Sequence, residues 1–214
     1  MKKIQAVIFD MDGVILDSES VCDKIWESLA EERRLENINR LMNLCRGLNR
    51  NDTISVLKKY YGKDFDGEEF LNSVRIKIRK TEEEGNLKLM PHAKECLDYL
   101  KPRYRLCLAS STSKEPVFRQ LKKLQVIDYF ETITTGDMVV HSKPDPEIYR
   151  LACKSINTAP ENCVAIEDSP NGIKSAFSAG ISVIMIPDRI QPDKEIKQIC
   201  WKILPSLKEI SGIL

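Results

Sequence analysis

Apolar positions in this chain follow two rhythms, and the two occupy different stretches of it. Five short runs are rich in β-forming residues without clean alternation: residues 4–9 (interrupted by Gln5), 104–109, 132–135, 163–166 and 182–186. Short, largely apolar runs without alternation suit strands buried on both faces. Helical spacing separates the last four. Ala93, Cys96, Leu97 and Leu100 share a face, as do Val117, Leu121 and Leu124, and then Ile148, Leu151, Ala152 and Ile156. Ser169-Pro170 ahead of Ile173, Ala176 and Phe177 reads as an N-cap with proline at the first helical position, and Gly180 as the stop. Strand and helix in alternation predict a parallel sheet with right-handed crossovers.

Residues 17–85 break that alternation with four helical stripes and no convincing strand. The stripes are Val21, Ile25 and Leu29; Leu41, Leu44 and Leu48; Ile54, Leu57 and Tyr61; and Phe70, Val74 and Ile78. The expected fold is therefore α/β: a doubly wound, parallel, Rossmann-like sheet core (residues 1–16 and 86–214) with a small inserted all-helical cap domain (residues 17–85). The two connections lie close together along the fold, which suits a hinge.

Composition removes several function classes. Lys and Arg number 33 against 32 Asp and Glu, for a net charge of +1. That balance argues against nucleic acid as the main partner, which favours a basic surface. Seven cysteines, an odd number with no C-x-x-C pair, argue against a disulfide framework and for a reducing, cytoplasmic setting. The first apolar run is too short for a secretory signal and nothing later approaches a membrane span, so no membrane partner is expected. A chain of 214 residues is compatible with a monomer.

The candidate chemistry sits at strand ends. Asp10 and Asp12 close the first run, and residues two apart in an extended chain project to the same side. Gly13 lets the chain leave the sheet sharply. Two such carboxylates can act as nucleophile or metal ligand and as general acid/base, or can be purely structural. A calcium loop fails: glycine at loop position 6 and an acid at position 12 are required, and counting from Asp10 those places hold Ile15 and Val21. The second run leads into Ser110-Ser111-Thr112-Ser113, hydroxyls that suit either an oxyanion or helix capping. Lys143, between the third and fourth runs in Ser142-Lys143-Pro144-Asp145-Pro146, is either solvated or a fixed charge for a phosphoryl group. Glu167 and Asp168 follow the fourth run; adjacent carboxylates repel unless a cation lies near, so the pair reads as a solvated turn or as part of a Mg2+ site. Ligands of doubly wound sheets bind beyond the carboxyl ends of the strands, where all of these clusters fall.

In order and spacing these residues resemble the haloacid dehalogenase-like hydrolases, in particular the subfamily with a helical cap after the first motif, which includes β-phosphoglucomutase and many sugar-phosphate phosphatases. Val7-Ile8-Phe9-Asp10-Met11-Asp12-Gly13-Val14 with Asp17-Ser18-Glu19 resembles the first motif, Ser110 the second, Lys143 the third and Glu167-Asp168 the fourth. The resemblance implies a phosphatase that hydrolyses a small phosphorylated metabolite, a sugar phosphate or phosphosugar acid, through an aspartyl phosphate. Asp10 would be the nucleophile and Asp12 the acid and then the base. Ser110, Ser111 and Lys143 would hold the phosphoryl group. Asp10, the Asp12 carbonyl, Glu167 (directly or through water) and Asp168 would hold Mg2+.

Departures from the pattern sharpen this expectation. An acid at position 12 favours phosphoryl transfer over dehalogenation, because a halide leaves without a proton. Mutases of the subfamily carry a histidine early in the cap, where this chain has Cys22 in Ser18-Glu19-Ser20-Val21-Cys22-Asp23-Lys24-Ile25-Trp26. Hydrolysis is expected, with a phosphomutase as the alternative and a non-catalytic or receiver-like phospho-signalling protein as the reading from another class. Arg46-Gly47-Leu48-Asn49-Arg50 resembles a substrate-recognition segment, so Arg46 and Arg50 are candidate substrate-binding residues. Pro91 is followed by His92 where the subfamily usually has glycine.

Overall fold

In this computed structural model, which describes residues 3–45 and 50–214, the strands are unalternating because both of their faces are covered. The α/β unit holds β1 (Ala6–Phe9), β2 (Arg105–Ser110), β3 (Thr132–Thr135), β4 (Cys163–Glu167), β5 (Ser182–Met185) and β6 (Lys202–Ile203). All pairings are parallel, in the order β3-β2-β1-β4-β5-β6. One set of alternate residues, Ala6, Ile8, Cys107, Ala109, Cys163, Ala165, Val183 and Met185, shares a cluster with Tyr149 and Ala152 of α7 (Glu147–Ser155) and Ile173 and Ala176 of α8 (Pro170–Ser178). The opposite set, including Val7, Phe9, Leu106, Leu108, Val164 and Ile166, is equally buried. The strand order reverses between β1 and β4, which is where such sheets place ligands.

β6 escaped the sequence reading because it is two residues long and exposed. The helix α8 follows its N-terminal signals closely: the Ser169 hydroxyl accepts the Gly172 N–H, and Pro170 opens the helix, while Phe177, read with the apolar face, is 50% exposed. Three further helices belong to this unit, α5 (Ala93–Leu100), α6 (Lys114–Lys123) and α9 (Lys194–Ile199).

Two compact units emerge, Met1–Asp17 with Lys88–Leu214, and Ser18–Leu87. The chain leaves the α/β unit beside the point of its return: the Asp17 N–H donates to the Lys88 carbonyl at 3.0 Å, and the Met90 N–H to that of Ile15 at 2.9 Å. The other unit is four helices, α1 (Ser18–Arg33), α2 (Ile38–Cys45), α3 (Arg50–Tyr61) and α4 (Gly67–Glu83). Trp26 meets Phe70 edge-on at 5.1 Å in its core, with Leu29, Leu41 and Leu57 around them. The second stripe needs correcting. Ile38, Leu41, Met42 and Cys45 form the buried face of α2, while Leu44 is 54% exposed; Leu48 lies outside the described residues. Spacings of three and four from Ile38 place Leu44 off that face.

Among the described residues no helix is long and apolar enough to cross a membrane. His92, the N-cap of α5, adopts φ +64°, in the left-handed region that a side chain resists. Glycine meets no such resistance, which gives a physical reason for its usual presence there. His92→Gly is expected to stabilise the chain by about 1 kcal/mol, or roughly 2–4 °C in thermal unfolding followed by circular dichroism; an unchanged or lower midpoint would show that the imidazole compensates elsewhere.

Candidate functional site

The site begins where β1 ends. The Asp10 N–H donates to the Ile166 carbonyl at 3.0 Å, continuing the β1–β4 pairing by one residue and setting Asp10 beside the end of β4. The chain then folds back on itself. The N–H groups of Ile15 and Leu16 both donate to the Met11 carbonyl at 2.9 Å, and the Gly13 N–H donates to that of Leu16. Gly13 has φ +79°, and a Cβ there would stand 2.5 Å from Asp168 Oδ2. Glycine thus makes the turn and leaves room for a carboxylate.

Lys143 ties the strand ends together. Its ammonium group donates to Asp10 Oδ1 and Glu167 Oε1, each at 2.6 Å, and to the Ala109 carbonyl at 3.2 Å. Three N–H donors meet three acceptors, so a ligand oxygen must share or replace one of them. The lysine is thus not solvated surface; its side chain is 7% exposed. The adjacent Glu167 is fully buried, and Lys143 is the cation that its pairing with Asp168 required.

Glu167 accepts five hydrogen bonds: Lys143 and the Tyr149 hydroxyl on Oε1, and the Asp168 N–H, Ser169 N–H and Ser169 hydroxyl on Oε2. A carboxylate has about four lone-pair sites, so this one is saturated. A Cβ on Gly172 would lie 1.8 Å from Oε1, so α8 approaches Glu167 as only glycine allows.

The loop after β2 completes the arrangement. Ser110 is fully buried, and its Oγ accepts the Thr112 N–H at 3.0 Å. Thr112 Oγ1 donates to Asp12 Oδ2 at 3.0 Å. Ser111 is exposed. Ser113 makes no side-chain cap; Asp137 Oδ1 instead accepts the first N–H of α6, from Lys114.

Charge follows from this packing. Burial pushes the Asp10 carboxyl up to about 7, against the pull of Lys143 and helped by the neighbouring charges of Glu167 and Asp12. Burial acts in the same direction on Glu167, but the charge and hydrogen bond of Lys143, with the bonds from Ser169 and Tyr149, hold it below the usual carboxylate range. Burial works to lower Lys143, and the two carboxylates outweigh it, so the ammonium stays charged.

One oxygen each of Asp10, Glu167 and Asp168 lie within 4.8 Å of one another. Three carboxylates against one ammonium leave negative charge that a hard divalent cation with oxygen ligands fits. Because Glu167 is saturated, it is poorly suited to be a direct ligand.

Residues 7–186 match the model of the haloacid dehalogenase-like hydrolase family. The chain belongs to that family. A phosphorylated carbohydrates phosphatase of Thermotoga maritima is 34% identical over 182 residues, covering 85% of this chain and 84% of the relative. A β-phosphoglucomutase of Bacillus subtilis is 28% identical over 191 residues, covering 85% and 82%. Among solved structures, a candidate β-phosphoglucomutase of Thermotoga maritima superimposes with a TM-score of 0.80 at 30% identity, covering 98% of both chains.

The residues that resemble the family's four motifs in the sequence, Asp10 with Asp12, Ser110, Lys143 and Glu167 with Asp168, are gathered at or just beyond neighbouring strand ends. The candidates in the helical unit stand differently. Arg46 lies outside the described residues. Arg50 donates to Glu68 Oε2 at 2.7 Å and to Asn72 Oδ1 at 2.9 Å, so part of its guanidinium is already engaged within the helical unit. It lines a cavity of about 440 Å³ within the helical unit, with Trp26, Met42 and Leu71 on the apolar side and Glu19 and Arg75 among the charges. Cys22 lines it too.

One contributor, Tyr149, left little mark in the sequence, while Thr112 stood there only among four hydroxyls suited to an oxyanion or a helix cap. Tyr149 is fully buried beneath the site, with its ring 5.0 Å from the Lys143 ammonium. Its only signal was a hydroxyl on an otherwise apolar helical face.

Lys143→Met leaves two buried carboxylates without their cation, which is expected to cost about 3–5 kcal/mol at neutral pH. Because Lys143 holds Glu167 below its ordinary pKa, the wild-type advantage exists above the ordinary carboxylate pKa and is lost as pH falls through the folded value. The gap between the two proteins should therefore narrow below about pH 4.5. Urea unfolding with chelator present, at several pH values, measures it; a gap independent of pH would overturn the assignment of charge.

Proposed function

We propose that this chain is a Mg2+-dependent phosphatase that hydrolyses a small phosphorylated carbohydrate, a sugar phosphate or phosphosugar acid, through an aspartyl phosphate on Asp10. The observation that carries the reading is the convergence on one carboxylate. Asp10 shares its cluster with Asp168, is held by Lys143, and stands two residues from a second acid, Asp12. The names of the phosphatase relatives favour a phosphorylated carbohydrate as substrate.

In this reading an Asp10 oxygen attacks phosphorus, the bond to the leaving alcohol breaks, and Asp12 delivers a proton to that alcohol's oxygen. Asp12, now ionised, takes a proton from the water that attacks the aspartyl phosphate. The bond to Asp10 breaks, and inorganic phosphate leaves. Lys143 keeps positive charge beside both nucleophile and phosphoryl group. Ser110, which also orders the loop after β2, and Ser111 would donate to phosphoryl oxygens. Asp10, Asp168 and the Asp12 carbonyl would hold Mg2+, and Glu167 would act on it only through water. Bound there, the ion supplies positive charge to the anionic phosphoryl group.

A phosphomutase is the second reading, favoured by the β-phosphoglucomutase relative. Cys22, in place of the mutases' histidine, weighs for water as the acceptor. With β-glucose 1-phosphate as substrate, the phosphatase reading expects one inorganic phosphate per molecule consumed; accumulation of glucose 6-phosphate without phosphate release would establish the mutase instead.

Two further outcomes are expected. Turnover of p-nitrophenyl phosphate should require Mg2+, stop with EDTA and be abolished by Asp10→Asn with the fold intact by circular dichroism. Full activity of that variant would exclude the covalent route. Because the Asp10 carboxyl is raised to about 7 and a metal binds the ionised form, apparent Mg2+ affinity should climb as pH rises toward that value and flatten above it. Calorimetric titration of the apo-protein across that range would reveal a flat profile if Asp10 is not a ligand.

A further inference from the structure

The loop after β2 does something to Asp12 that phosphate binding alone does not explain. Among the described residues, the Thr112 hydroxyl is the one hydrogen-bond partner of the Asp12 carboxylate, at 3.0 Å. Thr112 is itself fixed from two sides. Its N–H donates to Ser110 Oγ at 3.0 Å, and its carbonyl accepts the Gly136 N–H at 2.9 Å. Gly136 follows β3, and a Cβ there would stand 2.1 Å from the Ser111 carbonyl oxygen. The loop is therefore pressed against the end of a neighbouring strand. Asp12, by contrast, stands in a turn and is half-buried, with rotamers of its own to choose from.

The two oxygens of the carboxyl can divide the work. With Oδ2 held by the Thr112 hydroxyl, Oδ1 is the oxygen left to exchange a proton with the substrate. A neutral hydroxyl also holds Asp12 without adding a charge beside it.

We propose that Thr112 is a positioning residue that fixes the Asp12 carboxyl for the phosphatase cycle by donating to Oδ2, which leaves Oδ1 facing the leaving group. This rests on the reading of Asp12 as the general acid.

The experiment separates the two claims through the leaving group. Phenolate departs poorly without a proton, whereas p-nitrophenolate departs well. The measurement is kcat/KM for phenyl phosphate and p-nitrophenyl phosphate, at saturating Mg2+, in wild type, Thr112→Val, Thr112→Ser and Asp12→Asn, each checked for an unchanged melting temperature. Thr112→Val is expected to lose about tenfold more on phenyl phosphate than on p-nitrophenyl phosphate, the scale of one hydrogen bond to a charged group. Thr112→Ser should restore most of the difference. If Asp12→Asn shows the selective loss and Thr112→Val shows an equal loss on both substrates, or none, the role of Thr112 is overturned and that of Asp12 stands. If serine fails to restore the difference, the effect is structural and the proposal is likewise overturned. If Asp12→Asn loses equally on both substrates, or if neither substrate is turned over, the acid role falls and the proposal falls with it.

Discussion

Everything in the α/β unit's site depends on the ammonium of Lys143 standing between Asp10 and Glu167. Without it, β1 and β4 would end in carboxylates that repel across a distance too small for water to screen. A buried ion pair is weak evidence for stability, since hydrophobic replacements often do as well. What this one provides is placement. Lys143 spends its third donor on the Ala109 carbonyl, so one side chain joins the ends of β1, β2 and β4. Tyr149 supports it from α7, and Glu167 receives N–H groups at the start of α8, where the helix dipole favours negative charge.

The same accounting separates two acids that look alike in the sequence. Glu167 and Asp168 are neighbours, and both belong to the acidic cluster. Glu167 is saturated by five donors and therefore serves the scaffold. Asp168 occupies space that Gly13 leaves open. Proximity to a metal site is therefore not enough, since Glu167 lies in the cluster with its acceptor capacity already filled.

Legibility in the sequence followed the physical range of each signal. The strands were readable because burial on both faces writes largely apolar runs without alternation, and the helices because one buried face repeats at helical spacing. β6 left no such mark, and Leu44 misled because a leucine contributes to periodicity whether or not it is buried. Gly13 was readable as a turn, but its clearance of Asp168 is a contact across 155 residues (168 − 13) that no local pattern encodes. Tyr149 was invisible for the opposite reason: an aromatic on an apolar helix face reads as core, and its hydroxyl finds Glu167 only through the fold. Arg50 read as an open cation because its partners Glu68 and Asn72 lie on another helix.

This contrast bears on how the chain divides its labour. Each residue to which phosphorus chemistry is assigned, from Asp10 and Asp12 through Ser110 and Lys143 to Asp168, comes from the α/β unit. Their mutual constraints are tight: one ammonium satisfied three ways, one carboxylate satisfied five ways, and glycines at the points of closest approach. Most substitutions there disturb several partners at once. Among the described residues, the helical unit contributes no side chain to the acid cluster. Its cavity mixes Trp26, Met42 and Leu71 with Glu19, Arg50 and Arg75, and a change at any one of them alters the lining without unmaking the acid cluster. Mutual constraints of that kind give the α/β unit a physical reason to keep one acid cluster unchanged, in a family whose relatives bear the names of different phosphorylated substrates.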